Sequence, residues 1–331
     1  MIVCITGGTG FIGSHICISL IETGHKVILL DNLSNSSVSV LDNIQDITSI
    51  KPDFYQIDIR DYDKLHKFFM QNKIDCVIHC AALKCISEST KNPLEYYENN
   101  ITGTINLIKA MRDGDCYNLI FSSSATVYGE PEKIPLTEEC KTNALNPYGR
   151  TKLYIEEILQ DLSNSEPKWT FIMLRYFNPV GAHPSGKIGE NPKGIPNNLV
   201  PYILQVAKGQ QSHLTVYGNS YNTPDGTCIR DYIHISDLAS GHLAALQKLK
   251  DFNGITIINL GTGQGYSVMQ MITAMQKAIG IKISYIIGPK RKGDAEICYA
   301  ATTKARELLG WKAEKTIEDM CTDAWRWYQT I

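Results

Sequence analysis

Short apolar runs alternate with stretches of helical periodicity through the first half of the chain. The apolar runs predict strands at 2–6, 26–30, 54–57, 76–80, 119–122 and 170–175. Between them, apolar residues recur at helical spacing and predict helices at 11–23, 61–72, 93–112 and 147–162. Because alternating strands and helices are typical of a parallel sheet covered on both faces, we predict an α/β fold with a Rossmann-type doubly wound parallel sheet.

The pattern changes after Arg175. Residues 178–196 are rich in Gly and Pro without clear periodicity, which predicts a long loop. Mixed short elements follow, with helices predicted at 197–208, 236–248, 267–279 and 315–329. We therefore expect a first domain at 1–177 and a smaller mixed α/β lobe at 178–331, with stretches near 229–248 and 255–260 packed back onto the first domain.

The composition is that of an ordinary globular protein. The chain has 331 residues, of which 43% are hydrophobic and 20% charged, and its formal net charge is -2. No basic stripe indicates nucleic acid, and no apolar run approaches the ~20 residues of a membrane span. Met1 leads directly into the first strand without the features of a signal peptide. We expect a cytoplasmic protein with no nucleic-acid or membrane partner.

The ten cysteines are scattered and form no Cys-x-x-Cys pair. Cys76, Cys80 and Cys85 are the closest group, with His79 among them. Metal binding is one interpretation of this group. The alternating pattern of a buried strand favours the other, in which the thiols are small apolar core residues, and we predict no metal.

A glycine-rich turn follows the first predicted strand and opens the first helix. Gly7, Gly10 and Gly13 allow a tight turn and close approach of a pyrophosphate, which the helix N-terminus stabilises. Asp31, about 20 residues later, can accept hydrogen bonds from ribose hydroxyls and would repel a 2′-phosphate, so the pattern favours NAD over NADP. From the residues alone, Asp31 could instead be a turn residue before Asn32. Asp58 could contact the adenine or cap a helix.

Tyr148 and Lys152 are four residues apart and share a face if their segment is helical. A free tyrosine has a pKa of about 10, and a base that works near neutral pH needs that value lowered by about 3 units. A nearby ammonium supplies part of this shift, so we expect Lys152 to lower the pKa of Tyr148. The pair is a candidate proton-transfer site, and the other motifs are needed to identify the reaction in which it takes part.

These motifs together resemble the extended short-chain dehydrogenase/reductases. The glycine turn, Ser122 to Ser124 and the Tyr148–Lys152 pair are shared with that superfamily. The stretches 31–33, 93–97, 121–129, 174–183, 194–199 and 225–234 are similar to those of the UDP-galactose (UDP-glucose) 4-epimerases, and this resemblance covers nearly the whole chain.

The resemblance implies a homodimeric, NAD-dependent isomerase of UDP-hexoses. Tyr148 would take the proton of the sugar 4-hydroxyl while hydride leaves C4, and the 4-keto sugar would then rotate before hydride returns. Lys152 would hold the nicotinamide ribose, and Ser124 would hydrogen-bond the reacting oxygen. The dimer would pack through the helices at 93–112 and 147–162. The first domain would then bind NAD and the second lobe the UDP-sugar.

The resemblance also assigns contacts residue by residue. The NAD site would include, besides the residues above, Phe11, Ile12, Asn32, Asp58, Ile59, Ala81, Lys84, Asn99, Ser122 and Phe177. The UDP-sugar site would include Asn178, Asn198, Leu199, Arg230, Arg291, Asp294 and Cys298. Without the family, Arg230 next to Asp231 would form a surface ion pair, Ser124 would be an ordinary strand end, and Asn178 would form a turn before Pro179.

Several related reactions use the same framework, and two positions separate some of them. Related 4,6-dehydratases have an Asp-Glu pair just after the active-site hydroxyl, and UDP-glucuronate decarboxylases have Glu at the second of these positions. Ala125 and Thr126 stand there in this chain, and neither can act as a carboxyl group. An NAD-dependent sugar-nucleotide dehydrogenase and a non-catalytic NAD-binding scaffold remain as alternatives.

Substrate breadth depends on one further position. By resemblance, enzymes restricted to plain hexoses have a bulky Tyr at the pocket wall, and matching Gly293 and Asp294 places Cys298 there. A cysteine leaves room for an N-acetyl group, so we expect UDP-GlcNAc and UDP-GalNAc also to be interconverted. A slip of one residue in this matching would instead place Tyr299 at the wall.

Overall fold

The computed structural model describes residues 1–192, 196–291 and 295–331. In chain order its strands are β1 (Ile2–Thr6), β2 (Lys26–Asp31), β3 (Asp53–Gln56), β4 (Cys76–His79), β5 (Asn118–Ser124), β6 (Thr170–Tyr176), β7 (Asn178–Val180), β8 (Leu214–Tyr217), β9 (Ile229–His234), β10 (Gly254–Leu260), β11 (Gly265–Ser267), β12 (Tyr285–Gly288) and β13 (Ile297–Cys298).

The α-helices are α1 (Phe11–Glu22), α2 (Val40–Thr48), α3 (Tyr62–Gln71), α4 (Ile86–Lys91), α5 (Pro93–Tyr96), α6 (Gly103–Asp113), α7 (Pro147–Ser165), α8 (Leu199–Ala207), α9 (Ile235–Gln247), α10 (Val268–Ile279), α11 (Thr303–Leu309) and α12 (Ile317–Tyr328). The helices α2, α4 and α11 were not predicted, because they are too short to show a clear period in the sequence. No helix in the described ranges is long and apolar enough to span a membrane.

A seven-stranded sheet forms the centre of the fold, in the order β10-β6-β5-β4-β1-β2-β3. Strand β1 pairs in parallel with β2 and β4, and the pairs β2–β3 and β4–β5 are also parallel. The predicted Rossmann-type sheet is confirmed. The strand order reverses between β1 and β4, which is where open α/β sheets bind their ligands.

Cα packing divides the chain into two units, each made of separate segments. The first contains Met1–Val127, Thr142–Arg175 and Ala239–Ile258, and the second contains Tyr128–Lys141, Tyr176–Leu238 and Asn259–Ile331. In the second unit β9 pairs with β7, β11 and β13, while β8 and β12 form a parallel pair. A core that includes Ile203, Val216, Met271 and Met320 stabilises this unit.

The predicted helix at 93–112 is interrupted by one turn of π-helix at Tyr97–Thr102. This turn buries Asn99 and Asn100, whose side chains a regular helix of this sequence would orient differently. The side chain of Asn100 forms two hydrogen bonds with the backbone of Leu83, accepting from its N–H at 2.8 Å and donating to its carbonyl at 3.0 Å. The interruption therefore connects this helix to the segment that follows β4.

A buried ion pair joins α7 to the sheet. Arg175 at the end of β6 donates to Glu156 on α7 through two guanidinium nitrogens, at 3.0 and 2.6 Å. Ser123 on β5 donates to the same carboxylate at 2.5 Å. Both charged side chains are about 95% buried. Removing one partner from such a pair lowers the free energy of unfolding by roughly 3–5 kcal/mol, because it leaves a buried charge unpaired.

Candidate active site

The glycine turn between β1 and α1 provides a backbone cradle with no room for side chains. Gly7 has φ of 68°, and a Cβ there would lie 2.8 Å from the backbone N of Ala81. A Cβ on Gly13 would lie 2.3 Å from the carbonyl oxygen of Gly7. Helix α1 begins at Phe11, after the N-cap Gly10, and Ile12 is its second residue. The free N–H groups of this first turn and the helix dipole favour an anion at the N-terminus.

Asp31 ends β2 beside this turn. Its carboxylate accepts from the N–H of Thr9 at 3.2 Å, from the N–H of Leu33 at 2.9 Å and from the hydroxyl of Ser36 at 3.1 Å. The bond from Leu33 forms an Asx turn, so Asp31 does have the turn-forming role that the sequence left open. The bond to Thr9 holds the same carboxylate against the glycine turn, where a ribose would be bound.

Asp58 does not cap α3; Asp61 does, by accepting from the N–H of Lys64. Asp58 instead accepts from Asn32 at 2.9 Å and from two nitrogens of Arg60. These bonds, chiefly that from Arg60, hold the pKa of Asp58 well below its usual range. The neighbouring Ile59 is buried and lies under Gly103, where a Cβ would meet its side chain at 2.6 Å.

Tyr148 is in the first turn of α7, opposite the end of β5. Asn146 caps this helix by accepting from the N–H of Gly149 at 2.9 Å, and Pro147 occupies the first position, where its missing N–H costs nothing. The missing side chain of Gly149 lets this turn approach the segment that follows β5, where a Cβ would lie 3.0 Å from the carbonyl oxygen of Thr126. The pKa of Tyr148 is lowered by the side chain of Ser124, the last residue of β5.

Two groups oppose the effect of burial on Tyr148. Burial raises the pKa of Tyr148 above its ordinary value, while the hydrogen bond with Ser124 and the positive charge of Lys84 lower it. The sequence predicted Lys152 as the cation that lowers this pKa, and in this structure Lys84 has that effect. The reason is that the ammonium of Lys152 is directed into the sheet.

Lys152 is buried against β5. Its Nζ donates to the carbonyl oxygen of Ser122 at 2.7 Å and lies 4.9 Å from the centre of the Phe121 ring. Burial lowers the pKa of Lys152 to about 8, and the thiol of Cys80 and the carboxylate of Glu156 oppose this shift. Lys152 therefore loses its proton more easily than an exposed lysine.

Cys80 lies beside Lys152 at the end of β4. The hydroxyl of Ser122 donates to its sulfur at 3.1 Å. Burial raises the pKa of Cys80 to about 11, against the opposing effects of Ser122 and Lys152, so the thiol is neutral at physiological pH. The sequence did not assign this residue to the site.

Asn100 connects the turn of Tyr148 to the π-helix. Its Nδ2 donates to Thr151 Oγ1 at 3.0 Å, and the Thr151 hydroxyl donates to the carbonyl of Tyr148 at 2.7 Å. Asn99, a predicted NAD contact, donates to Asn100 Oδ1 at 2.9 Å. These contacts fix the backbone around Tyr148 through Asn100 and Thr151, which the sequence did not assign to the site.

His79 extends the same network to β1. Thr104 donates to the carbonyl of Asn100 at 2.5 Å, so it accepts from Nε2–H of His79 at 2.9 Å. The other ring nitrogen therefore accepts from the hydroxyl of Thr6 at 2.6 Å. Burial and the charge of Lys152 lower the pKa of His79 to about 3, which agrees with this neutral tautomer. The oxygen of Thr6 accepts from the N–H of Ala81 at 3.3 Å.

In the second unit, Arg230 and Cys298 are register partners on the paired strands β9 and β13. Burial raises the pKa of Cys298 to about 11, and the charge of Arg230 opposes the shift. The alternative of a surface ion pair with Asp231 is wrong: Asp231 is fully buried and accepts from Thr262, Gly263 and Ala300. Neighbours on a strand face opposite sides, which separates Arg230 from Asp231.

Cys298 is the last residue of β13, and Tyr299, which follows it, is directed to the opposite face. A Cβ on Gly265 would meet the ring of Tyr299 at 3.4 Å and the side chain of Ile229 at 2.4 Å. Tyr299 is therefore on the face of Ile229, while the register places Cys298 with Arg230.

The remaining predicted contacts of the second unit are spread over several elements. Asn178 lies in β7 and not in a turn, and Phe177 is buried, with its N–H donating to Leu260 at 3.1 Å. Asn198 caps no amide with its side chain but donates to Glu190 at 3.1 Å, and Leu199 begins α8. Arg291 stacks on the ring of Tyr217 at 3.8 Å, a residue that the sequence did not assign. Asp294, like Gly293, lies outside the described residues.

The cysteine group around His79 is dispersed within the fold. Cys76 is buried in the core, whereas Cys80 contacts Ser122 and Cys85 lies near Ser87 at 3.3 Å. In the three described ranges, no group of three His, Cys, Asp or Glu side chains is arranged to hold a metal ion.

Known proteins resemble this chain along its full length. Residues 3–261 match the model of the NAD dependent epimerase/dehydratase family. UDP-glucose 4-epimerase 2 of Arabidopsis thaliana is 52% identical over 329 residues, covering 98% of this chain and 94% of that protein.

Two solved structures are similar in fold over the whole chain. A UDP-glucose 4-epimerase from Bifidobacterium longum, in complex with NAD+ and UDP, has a TM-score of 0.97 and 49% identity, covering 100% of this chain and 98% of that one. A UDP-glucose-4-epimerase from Stenotrophomonas maltophila, with bound NAD and formylated UDP-arabinopyranose, has a TM-score of 0.97 and 47% identity over the same shares of the two chains.

Burial of Lys152 predicts a cost to stability that depends on pH. Its folded-state pKa of about 8 is below the ordinary value of 10.5, so the cost is complete below about pH 8 and is relieved as the pH rises through this interval. We expect Lys152→Met to raise the free energy of unfolding near neutral pH by up to about 3 kcal/mol, with the gain shrinking at alkaline pH. Urea unfolding at a series of pH values measures this difference.

The matched control is Lys141→Met, because the side chain of Lys141 is 82% exposed. It should change stability little at any pH. A Lys152→Met protein that is no more stable than the wild type near neutral pH would show that the lysine is not strained by burial.

Proposed function

The chain belongs to the NAD dependent epimerase/dehydratase family, and we propose that it interconverts UDP-glucose and UDP-galactose by NAD-dependent epimerisation at C4. The observation that supports this most directly is the arrangement at the end of β5. There the side chain of Ser124 lowers the pKa of Tyr148, Lys152 is anchored one helical turn away, and Ala125 and Thr126 follow Ser124 in place of carboxyl groups.

The residues of the first unit fit NAD. The glycine turn has no Cβ atoms that would block close approach of a pyrophosphate to its backbone. It adjoins both the N-terminus of α1 and the carboxylate of Asp31. Bound NAD would supply hydride acceptance and return. We propose that the glycine turn, Asp31 and Lys152 hold it, and that its further contacts are Phe11, Ile12, Asn32, Asp58, Ile59, Ala81, Lys84, Asn99, Ser122 and Phe177.

The proton is handled by the chain's own residues. Tyr148 as phenolate would take the proton of the sugar 4-hydroxyl and return it after the 4-keto sugar has rotated. Ser124 would hydrogen-bond the same oxygen. Lys84 places positive charge near this centre, which favours the phenolate that burial alone disfavours.

The second unit would bind the UDP-sugar. Arginine is the suitable partner for a diphosphate because its planar fork can donate to two oxygens, and Arg230 and Arg291 are the candidates. We propose that Asn178, Asn198, Leu199 and Asp294 contribute further contacts.

We also infer that N-acetylated UDP-sugars are substrates. Cys298 is on the face of Arg230, whereas the bulky Tyr299 is on the opposite face, which supports the assignment of the smaller residue to the pocket wall. A cysteine side chain leaves room for the acetamido group at C2 of UDP-GlcNAc and UDP-GalNAc.

A homodimer is the proposed assembly. Leu94 on α5 is 80% exposed and Ile86 on α4 is 47% exposed, close to α7 in the same unit. Tyr154 on α7 is also exposed and stacks on Tyr97 at 6.4 Å. An apolar surface of this kind favours a second copy of the chain, packed through the helices at 93–112 and 147–162. Sedimentation equilibrium should give the mass of two chains, and the mass of one chain would refute the proposal.

Tyr148→Phe tests the proposed reaction. Because the variant keeps the ring but loses the acidic hydroxyl, we expect epimerisation of UDP-galactose to fall by about three orders of magnitude or more while nicotinamide still copurifies with the protein. Coupled detection of UDP-glucose and extraction of the cofactor measure the two properties.

Three outcomes would contradict part or all of this proposal. Unchanged turnover in Tyr148→Phe would mean that another group is the base. Release of free NADH in proportion to UDP-galactose consumed by the wild type would favour a dehydrogenase, and cofactor binding without any turnover would favour a non-catalytic scaffold.

Cys298→Tyr tests the N-acetyl substrates. The larger ring should abolish turnover of UDP-GlcNAc while largely sparing UDP-galactose, and both rates can be measured on one preparation. Cys298→Ser is the matched control because it keeps the size of the side chain. Equal losses of both activities in Cys298→Tyr would contradict the assignment of this residue.

A further inference from the structure

Thr126 occupies both lone pairs of the Ser124 hydroxyl. Its own hydroxyl donates to Ser124 Oγ at 3.0 Å, and its backbone N–H donates to the same atom at 3.2 Å. A serine hydroxyl has two lone pairs and one hydrogen. With both lone pairs engaged by one neighbour, the remaining capacity of Ser124 is to donate its hydrogen.

The same threonine also contacts the helix turn of Tyr148. Thr126 is in the 3₁₀ turn Ala125–Val127 that follows β5. A Cβ on Gly149 would lie 3.0 Å from the carbonyl oxygen of Thr126 and 3.4 Å from its Cβ. Thr126 therefore joins Ser124 on one side to the first turn of α7 on the other.

We propose that Thr126 is a positioning residue, which directs the Ser124 hydroxyl hydrogen onto the oxygen of Tyr148. This role rests on the proposed function, because that function makes Tyr148 the base. A hydrogen bond donated to the oxygen of Tyr148 stabilises the phenolate more than the phenol and so lowers the pKa of Tyr148. Thr126 thus acts on the base through Ser124 and needs no contact with the reacting atoms.

Loss of the Thr126 hydroxyl would reverse this preference. One lone pair of Ser124 becomes available, and the phenol of Tyr148 can donate to it, which stabilises the protonated form. The other charged and titratable groups around the site are Lys84, Lys152, Cys80, His79 and Glu156, and none is altered by a change at Thr126. Their contributions to the pKa of Tyr148 should therefore cancel in a comparison of variants.

The experiment compares Thr126→Val with Thr126→Ser in the NAD-containing protein. Valine keeps the shape but lacks the hydroxyl, so we expect kcat for UDP-galactose near neutral pH to fall about tenfold, the order of one hydrogen bond. The acidic limb of the kcat profile should move to higher pH by about one unit, with KM close to the wild-type value. Thr126→Ser should restore most of the rate.

A direct measurement accompanies the kinetics. Tyrosine labelled with carbon-13 at the ring carbon that bears the hydroxyl reports its ionisation by NMR, and Tyr148→Phe identifies the signal among the 17 tyrosines. The pKa of Tyr148 should be higher in Thr126→Val than in the wild type. Thr48→Val, which removes a hydroxyl at the end of α2, controls for loss of a threonine hydroxyl outside the site.

The outcomes separate the two proposals. A raised KM with an unmoved acidic limb would make Thr126 a substrate contact, and an unchanged profile in Thr126→Val would remove any role; either result overturns the inference. If the wild type does not epimerise UDP-galactose but the NMR shift of Tyr148 still depends on Thr126, then the proposed function is wrong and the effect of Thr126 on Tyr148 stands.

Discussion

The buried ion pair between Glu156 and Arg175 fixes the helix on which the candidate site depends. Glu156 follows Lys152 by one helical turn and Tyr148 by about two, so the three side chains share a face of α7. The fork of Arg175 and the hydroxyl of Ser123 hold that face against β5 and β6. A rotation of α7 about its axis would separate two desolvated charges, and this penalty stabilises the orientation of Tyr148 and Lys152.

The charges around the site favour a negative charge on one atom, the oxygen of Tyr148. Glu156 is neutralised by Arg175, His79 is held neutral by burial, and the thiol of Cys80 is also neutral at physiological pH. Lys84 contributes positive charge at Tyr148. The side chain of Ser124 also lowers the pKa of Tyr148, so the oxygen of Tyr148 is the atom at which a negative charge is favoured.

The sequence predicted the parts of the site that depend on local spacing. The glycine turn, the end of β2 and the i, i+4 pair on α7 are each specified within a few residues of chain, so periodicity and turn chemistry identify them. The predicted contacts of the second unit came instead from longer stretches that resemble a known family. One of these residues, Asp294, lies outside the described residues.

Contacts between distant segments could not be predicted in this way. Arg175 is 19 residues from Glu156, and nothing in either local pattern indicates that the two meet. The effect of Lys84 on Tyr148 likewise depends on how the segment after β4 folds. The expectation for Arg230 and Asp231 failed because adjacency in sequence was taken for adjacency in space, whereas a strand directs neighbours to opposite faces.

The candidate site depends on the exact number of residues in the segment that contains the π-helical turn at Tyr97–Thr102. A π turn contains one residue more than an α-helical turn, and deleting one residue would let the helix become regular. Because the π turn absorbs the extra residue, the α-helical residues on either side would keep their orientation, and the residues of the turn itself would be displaced. Asn100 would leave Thr151 and Leu83, so an indel here would reshape the catalytic region without substituting any catalytic residue.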